Sequence, residues 1–248
     1  MNVRSGPSAI ITYHSLDESG SAISIAPALF RAQLDALASS RAAVVPLADV
    51  RHTPGSVSLT FDDGYRNFLD TGLPLLHYYK MPATLFVVSG YCGHLNQWGS
   101  SLRDPPRLPI LSWTEIREIS QAGVVIGAHT VRHPNLTVMP PEQVARELRE
   151  CRSSIEDRIG LRVDSFAYPY GATSAAVRAL AKLEFRLACG TRPAFVEPGS
   201  DPFDLPRIDA RYLRRLYWMS NLNTGLGRAY VAAQRWLRGF RTAPPKSS

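Results

Sequence analysis

A chain of 248 residues with 45% hydrophobic and 20% charged side chains can bury a sizeable core, which excludes a disordered or low-complexity chain. No run approaches the ~20 apolar residues of a membrane span, so a membrane-crossing helix is excluded too. The net charge of +7 is concentrated: residues 210–248 hold seven Arg, one Lys and no acidic residue, giving +8 there and −1 over residues 1–209, so any attraction to polyanions belongs to the tail.

Residues 1–8 are short and polar and run straight into an apolar strand, without the basic start, long apolar core and small-residue cleavage site of a signal peptide. A cytoplasmic protein, or one peripheral at the inner membrane face, is the expectation. Residues 9–13 read as the first strand, ending at His14. Residues 27–41 carry Leu29, Phe30, Leu34, Leu37 and Ala38 at helical spacing. Val44 and Val45 suggest a short extended piece. Residues 57–61 form an apolar strand that stops at Asp62-Asp63-Gly64. Residues 69–79 read as a helix with Pro74 an irregularity near its start. Residues 83–88 read as a buried strand and residues 90–109 as a long aperiodic loop.

Ser112-Trp113-Thr114-Glu115 has capping-box spacing and opens a helix to about residue 122. Residues 124–128 are a strand ending at His129, residues 140–159 a charged helix, and residues 165–167 a short strand before Tyr168-Pro169-Tyr170-Gly171. A helix over 174–183, an extended piece over 185–188 and a closing strand over 205–208 follow. Strands alternating with helices predict a parallel α/β architecture. The polar residues His14, Asp62, Asp63 and His129 all fall at strand C-termini, the end that carries the active site in α/β barrels. The three cysteines, Cys92, Cys151 and Cys189, are odd in number and far apart, which suggests neither a metal-type pair nor a disulfide framework.

On an extended segment neighbouring side chains point in opposite directions. Asp62 and Asp63 can therefore divide two jobs, one on a metal and one on a proton. His129 and His133 are four residues apart, which on a helical turn puts both imidazoles on one face. Two histidines and one carboxylate make a facial ligand set that zinc, iron or cobalt can accept.

Thr60-Phe61-Asp62-Asp63-Gly64, then His129-Thr130-x-x-His133, then Phe166-Ala167-Tyr168-Pro169-Tyr170-Gly171 resemble the three motifs of the polysaccharide deacetylases of carbohydrate esterase family 4, the NodB-homology fold. The resemblance covers roughly residues 9–209. It implies a distorted (β/α) barrel of about seven strands and a divalent metal, most often Zn2+, with Co2+ or another transition metal as alternatives. Carried over by motif, Asp62 is the general base, and Asp63, His129 and His133 are the metal ligands. The Tyr170 N–H is the expected oxyanion donor, because Pro169 has none. Tyr168, Pro169 and Tyr170 are expected at the substrate, and Trp98, in the long loop, is a candidate to stack on sugar rings.

Two departures from the family pattern matter. The third motif commonly starts with an Arg that braces the base, and Ala167 stands there. Arg207 is the candidate replacement, its alternative being an ordinary surface salt bridge. No histidine follows His133 to protonate the leaving amine. Tyr13-His14-Ser15 resembles the Tyr-His motif of a permuted subgroup, which makes His14 the candidate general acid; a strand-capping structural histidine is the alternative.

The chain is thus expected to divide into a NodB-like deacetylase barrel over residues 1–209 and a basic amphipathic extension over 210–248. In the extension Ala229, Ala233, Trp236, Leu237 and Phe240 recur at helical spacing, with Arg228, Arg235, Arg238 and Arg241 between them. It is expected to dock on the barrel and show its arginines to solvent, an anionic membrane surface or an acidic polymer being the alternative partners; no nucleic-acid partner is expected. The predicted activity is metal-dependent removal of N-acetyl groups from an N-acetylglucosamine-containing glycan or glycan precursor. The alternatives are an O-acetyl esterase, a small-substrate amidohydrolase, and a catalytically silent glycan-binding or membrane-peripheral protein.

Overall fold

The computed structural model describes residues 6–40, 42–98 and 106–242, with side chains at the C-terminal end described through 238. The first five residues, residues 99–105 of the long loop, and the Phe240 and Arg241 side chains of the tail lie outside the described residues.

Seven strands alternate with helices in the order β1 (Ala9–Tyr13), α1 (Pro27–Ala38), β2 (Val57–Phe61), α2 (Leu73–Tyr79), β3 (Ala83–Val87), α3 (Trp113–Gln121), β4 (Val125–Ala128), α4 (Pro141–Ile159), β5 (Ser165–Ala167), α5 (Ala175–Glu184), β6 (Leu187–Cys189) and β7 (Ile208–Asp209). Two more helices, α6 (Leu216–Ser220) and α7 (Gly225–Thr242), complete the described chain. All ladders are parallel and the spatial order is β6-β5-β4-β3-β2-β1-β7. The ends of this sheet meet through residues 205–208. The Leu205 amide donates to the Ala188 carbonyl (2.9 Å) and the Gly190 amide to the Leu205 carbonyl (2.9 Å), while Ile208 pairs with Ile11. The result is the distorted NodB-like (β/α) barrel.

The strands read as apolar runs because both faces are covered. Alternate residues Ala9, Ile11, Tyr13, Leu59, Phe61, Leu85 and Val87 pack with helix residues such as Phe30, Leu34, Ile119, Leu148 and Val177 in the main core. The opposite faces contribute Ile10, Phe86, Ala167 and Cys189 to a second, smaller cluster without α-helix residues, inside the curl of the sheet. Both Cys151 and Cys189 are buried and no disulfide forms among the described cysteines.

Local rules explain most boundaries. Ser112 Oγ accepts from the Glu115 amide (3.3 Å) and Glu115 Oε2 from the Ser112 amide (2.8 Å), a complete capping box on α3. The predicted single helix over 69–79 is instead a π-helical turn, Phe68–Gly72, followed by α2. Pro74 sits in the first turn of α2, directly after the π-helical turn, where its missing N–H interrupts the regular i→i−4 ladder.

The tail shares the barrel's core. Gln33 on α1 donates from Nε2 to the Ala210 and Leu213 carbonyls (3.1 and 3.2 Å), and Met219, Leu222 and Val231 join the main buried cluster. The docking surface of α7 is not the apolar set singled out above. Gly227 and Val231 are buried and Tyr230 stacks on Trp218 at 4.1 Å, while Leu226, Trp236 and Leu237 are exposed. Helical spacing alone reports that apolar residues share a side, not which side meets the barrel.

Candidate active site

The C-terminal ends of β1, β2, β4 and β5 converge on a cleft of ≈ 300 Å³ lined by His14, Asp62, Asp63, His129, His133, Tyr168, Tyr170 and Arg207 among others. Trp98 lines it too, its ring 5.0 Å from that of His133. Pro169 is buried and does not line it. Tyr168 is fully buried, and its hydroxyl donates to the Phe203 carbonyl (2.9 Å), so only its ring is presented to the cleft.

The two aspartates separate by a backbone turn and not by strand pleating. The Asp62 amide still donates to the Tyr13 carbonyl (2.9 Å), continuing the ladder, whereas Asp63 has left it with φ 73°. A non-glycine residue held in the left-handed region is uncommon and clusters at functional sites. Asp62 is then gripped by Arg207: Nη1 to Oδ1 at 2.6 Å and Nη2 to Oδ2 at 2.7 Å. Arg207 is 1% exposed, which rules out the surface-pair alternative. Its Nε donates to the Gly190 carbonyl (2.8 Å) and its Nη1 also reaches Thr60 Oγ1 (3.3 Å). Five donors in a rigid fork suit this bidentate contact, which a lysine could not copy. Burial acts to raise the Asp62 carboxyl and the Arg207 guanidinium to lower it; the guanidinium prevails and the group stays below the ordinary carboxylate range.

Asp63 faces the two imidazoles. Its Oδ1 is 3.4 Å from Nε2 of His129 and 3.4 Å from Nε2 of His133, and the three candidate ligand atoms lie within 4.8 Å of one another. His129 Nδ1 hydrogen-bonds the Ala167 carbonyl (2.7 Å), which leaves Nε2 to face Asp63. Burial opposes ionisation of Asp63, but the His129 and His133 imidazoles facing it, with His14 nearby, hold it well below the usual range. Burial pulls His133 down to about 4, so its imidazole is neutral at neutral pH. Tyr65 borders the carboxylate; burial and then the Asp63 charge push its hydroxyl up, and it accepts from Asn96 Nδ2 (3.1 Å).

The histidine pair is presented by an irregular turn, in place of the helical turn its spacing suggested. Thr130 and His133 have φ of 69° and 57°. The His133 amide donates to Thr130 Oγ1 (2.9 Å). Glu147, buried on α4, accepts from the amides of Val131 (2.8 Å) and Arg132 (3.1 Å) and from the Arg132 guanidinium. The Gly90 amide donates to the Val131 carbonyl (3.0 Å), and a Cβ at Gly90 would stand 2.5 Å from that oxygen. Glycine at 90 is therefore part of the seat of the histidine turn.

His14 stands one residue past β1, with Nε2 3.9 Å from Asp62 Oδ2 and its side chain 24% exposed. Tyr170, with φ 59°, also lines the cleft, its ring 4.6 Å edge-on to that of His133. Sequence reasoning missed Tyr65, Asn96 and Glu147, and also Asp209, Arg211, Thr191 and Arg238 at the cleft rim. Arg211 is paired with Asp209 (2.8 Å), and Arg238 donates to Thr191 Oγ1 (2.9 Å) from α7. Only Tyr65 had a sequence signal, its place directly after the Asp-Asp-Gly run.

Fold and cleft together define a parallel barrel with a carboxylate–imidazole centre at the C-terminal mouth, the end at which barrel enzymes carry their active sites. The chain belongs to the polysaccharide deacetylase family, whose model matches residues 49–188. It is 23% identical over 208 residues to the Bacillus subtilis protein YxkH, covering 80% of this chain and 70% of that one. It is 30% identical over 165 residues to the chitooligosaccharide deacetylase of Rhizobium leguminosarum bv. trifolii, covering 66% of this chain and 65% of that enzyme. Among solved structures, IcaB from Ammonifex degensii superposes with a TM-score of 0.73 at 22% identity, covering 89% of this chain and 100% of that one.

Proposed function

We propose that this deacetylase is metal-dependent and removes N-acetyl groups from an N-acetylglucosamine-containing glycan or glycan precursor. The observation that carries the reading is the buried Asp63–His129–His133 cluster beside a carboxylate held by a buried arginine. The donor set fits a divalent transition ion: an ionised carboxylate and two imidazoles whose Nε2 atoms converge on it. Asp63 Oδ1 is buried and makes no hydrogen bond, an orphaned lone pair that a cation would satisfy. The substrate class follows the Rhizobium relative, a chitooligosaccharide deacetylase.

A divalent cation bound there supplies a Lewis acid that polarises an acetyl carbonyl and eases ionisation of water. The remaining roles fall to the chain. Asp62 takes the proton of the attacking water as general base, and Arg207 keeps it ionised and aimed. The Tyr170 backbone N–H is the donor assigned to the developing oxyanion. His14, lining the same cleft 3.9 Å from Asp62 and partly open to solvent, gives a proton to the departing amine nitrogen. The burial of the Asp62–Arg207 pair excludes water from behind the base.

Acetate release from N-acetylated chito-oligosaccharides and from O-acetylated xylan, with zinc or cobalt added, tests the reading. Release from the amide substrate is expected. Release from the ester alone would move the chain to the O-acetyl esterase alternative, and release from neither to the silent one. His14→Ala is expected to lower kcat about a hundredfold, within the usual range for a proton-transfer group, with metal content unchanged. Near-normal turnover of this variant would remove His14 from the mechanism.

A further inference from the structure

The helix α7 has three sectors, not two. At ~100° per residue, Gly227, Tyr230, Val231, Gln234 and Arg238 fall together. All five are buried or half-buried, and they are the docked side. About a third of a turn away fall Leu226, Ala229, Ala233, Trp236 and Leu237. These are exposed, Leu226 at 63%, Trp236 at 65% and Leu237 at 45%. The last third holds Arg228 and Arg235, also exposed. A helix that only covers a barrel turns its apolar stripe inward. Here other residues do the docking, and the apolar stripe faces out, the mark of a contact surface.

We propose that the outer apolar sector of α7 docks on a lipid bilayer carrying anionic headgroups. Charge complementarity favours that occupant: residues 210–248 carry +8 and not one acidic residue. An amphipathic helix with Trp and Leu on one side and Arg beside them lies in the plane of a membrane interface, Trp at headgroup level and Arg reaching outward. No described helix is long and apolar enough to cross a membrane, so the association is in-plane. A second copy of the chain is a poorer occupant, because it would bring one +8 tail up against another. The docked side of the same helix sends Arg238 to the cleft rim, so a membrane-bound α7 forms one wall of the cleft mouth next to the bilayer.

Co-sedimentation of the full chain with vesicles tests this. Binding to phosphatidylglycerol-containing vesicles is expected to exceed binding to pure phosphatidylcholine at least about tenfold and to weaken as salt rises. The double variant Leu226→Glu/Leu237→Glu, whose melting midpoint reports that it is folded, is expected to bind about tenfold more weakly. Undiminished binding of the folded variant overturns the proposal. So does a dimer in light scattering that the same substitutions dissolve, or retention on an acidic polysaccharide without vesicle binding. The measurement needs no turnover, so its failure leaves the deacetylase reading standing, and an inactive enzyme leaves this one standing.

Discussion

Arg207→Met is expected to cost about 3–5 kcal/mol of folding stability, because it leaves the Asp62 carboxylate buried without its partner. Methionine nearly fills the space, so the loss is electrostatic and not a cavity effect. Urea unfolding measures it. The pH dependence identifies the cause. In the wild type the depressed Asp62 pKa gives stability that is present above the unfolded value of about 3.9 and is lost as pH falls through the lower folded value. Without Arg207, burial is opposed only by the weaker pull of His129 and His14, and it raises the folded pKa. The variant then carries its penalty above about pH 4 and sheds it as the pH falls and Asp62 protonates. The difference between variant and wild type should therefore shrink in acid. Asp62→Asn/Arg207→Met should recover part of the loss, since neither charge then remains buried alone. A cost of under about 1 kcal/mol, the range of surface pairs, would mean that Arg207 does not hold Asp62 as described.

The second large effect is on chemistry. Asp62→Asn keeps the shape of the side chain and an oxygen to accept from Arg207, but no longer takes a proton. Acetate release is expected to fall by about 10²–10⁴, the usual worth of a general base. Metal content should not fall with it, because Asp63, His129 and His133 are untouched. A variant that loses less than about tenfold in kcat would relieve Asp62 of the base's role.

How much of this could be read from residues alone differs from element to element. The strands β2 and β3 were legible because each is buried on both faces and so reads as one apolar run. The closing strand β7 is only two residues long, and Pro206 interrupts the approach to it; its pairing partner β1 lies at the other end of the chain. The spacing of His129 and His133 was legible, but the turn that presents them was not. It is set by Glu147 on α4 and by Gly90 after β3, neither of which is near the motif. Arg207 could be named as a charge beside the closing strand, but its grip on Asp62 spans 145 residues and exists only once the barrel closes. The amphipathic character of α7 was equally plain, while the choice of docked side was made by Val231 and the Tyr230–Trp218 stack.

On the proposed reading, Asp63, His129 and His133 hold a divalent metal on which deacetylation depends. Metal content and acetate release of the full chain, measured on one preparation before chelation, after it, and after zinc is returned, test it most directly. About one equivalent of divalent metal per chain, loss of release with the metal, and recovery with zinc are expected. Undiminished acetate release from metal-free protein would contradict it.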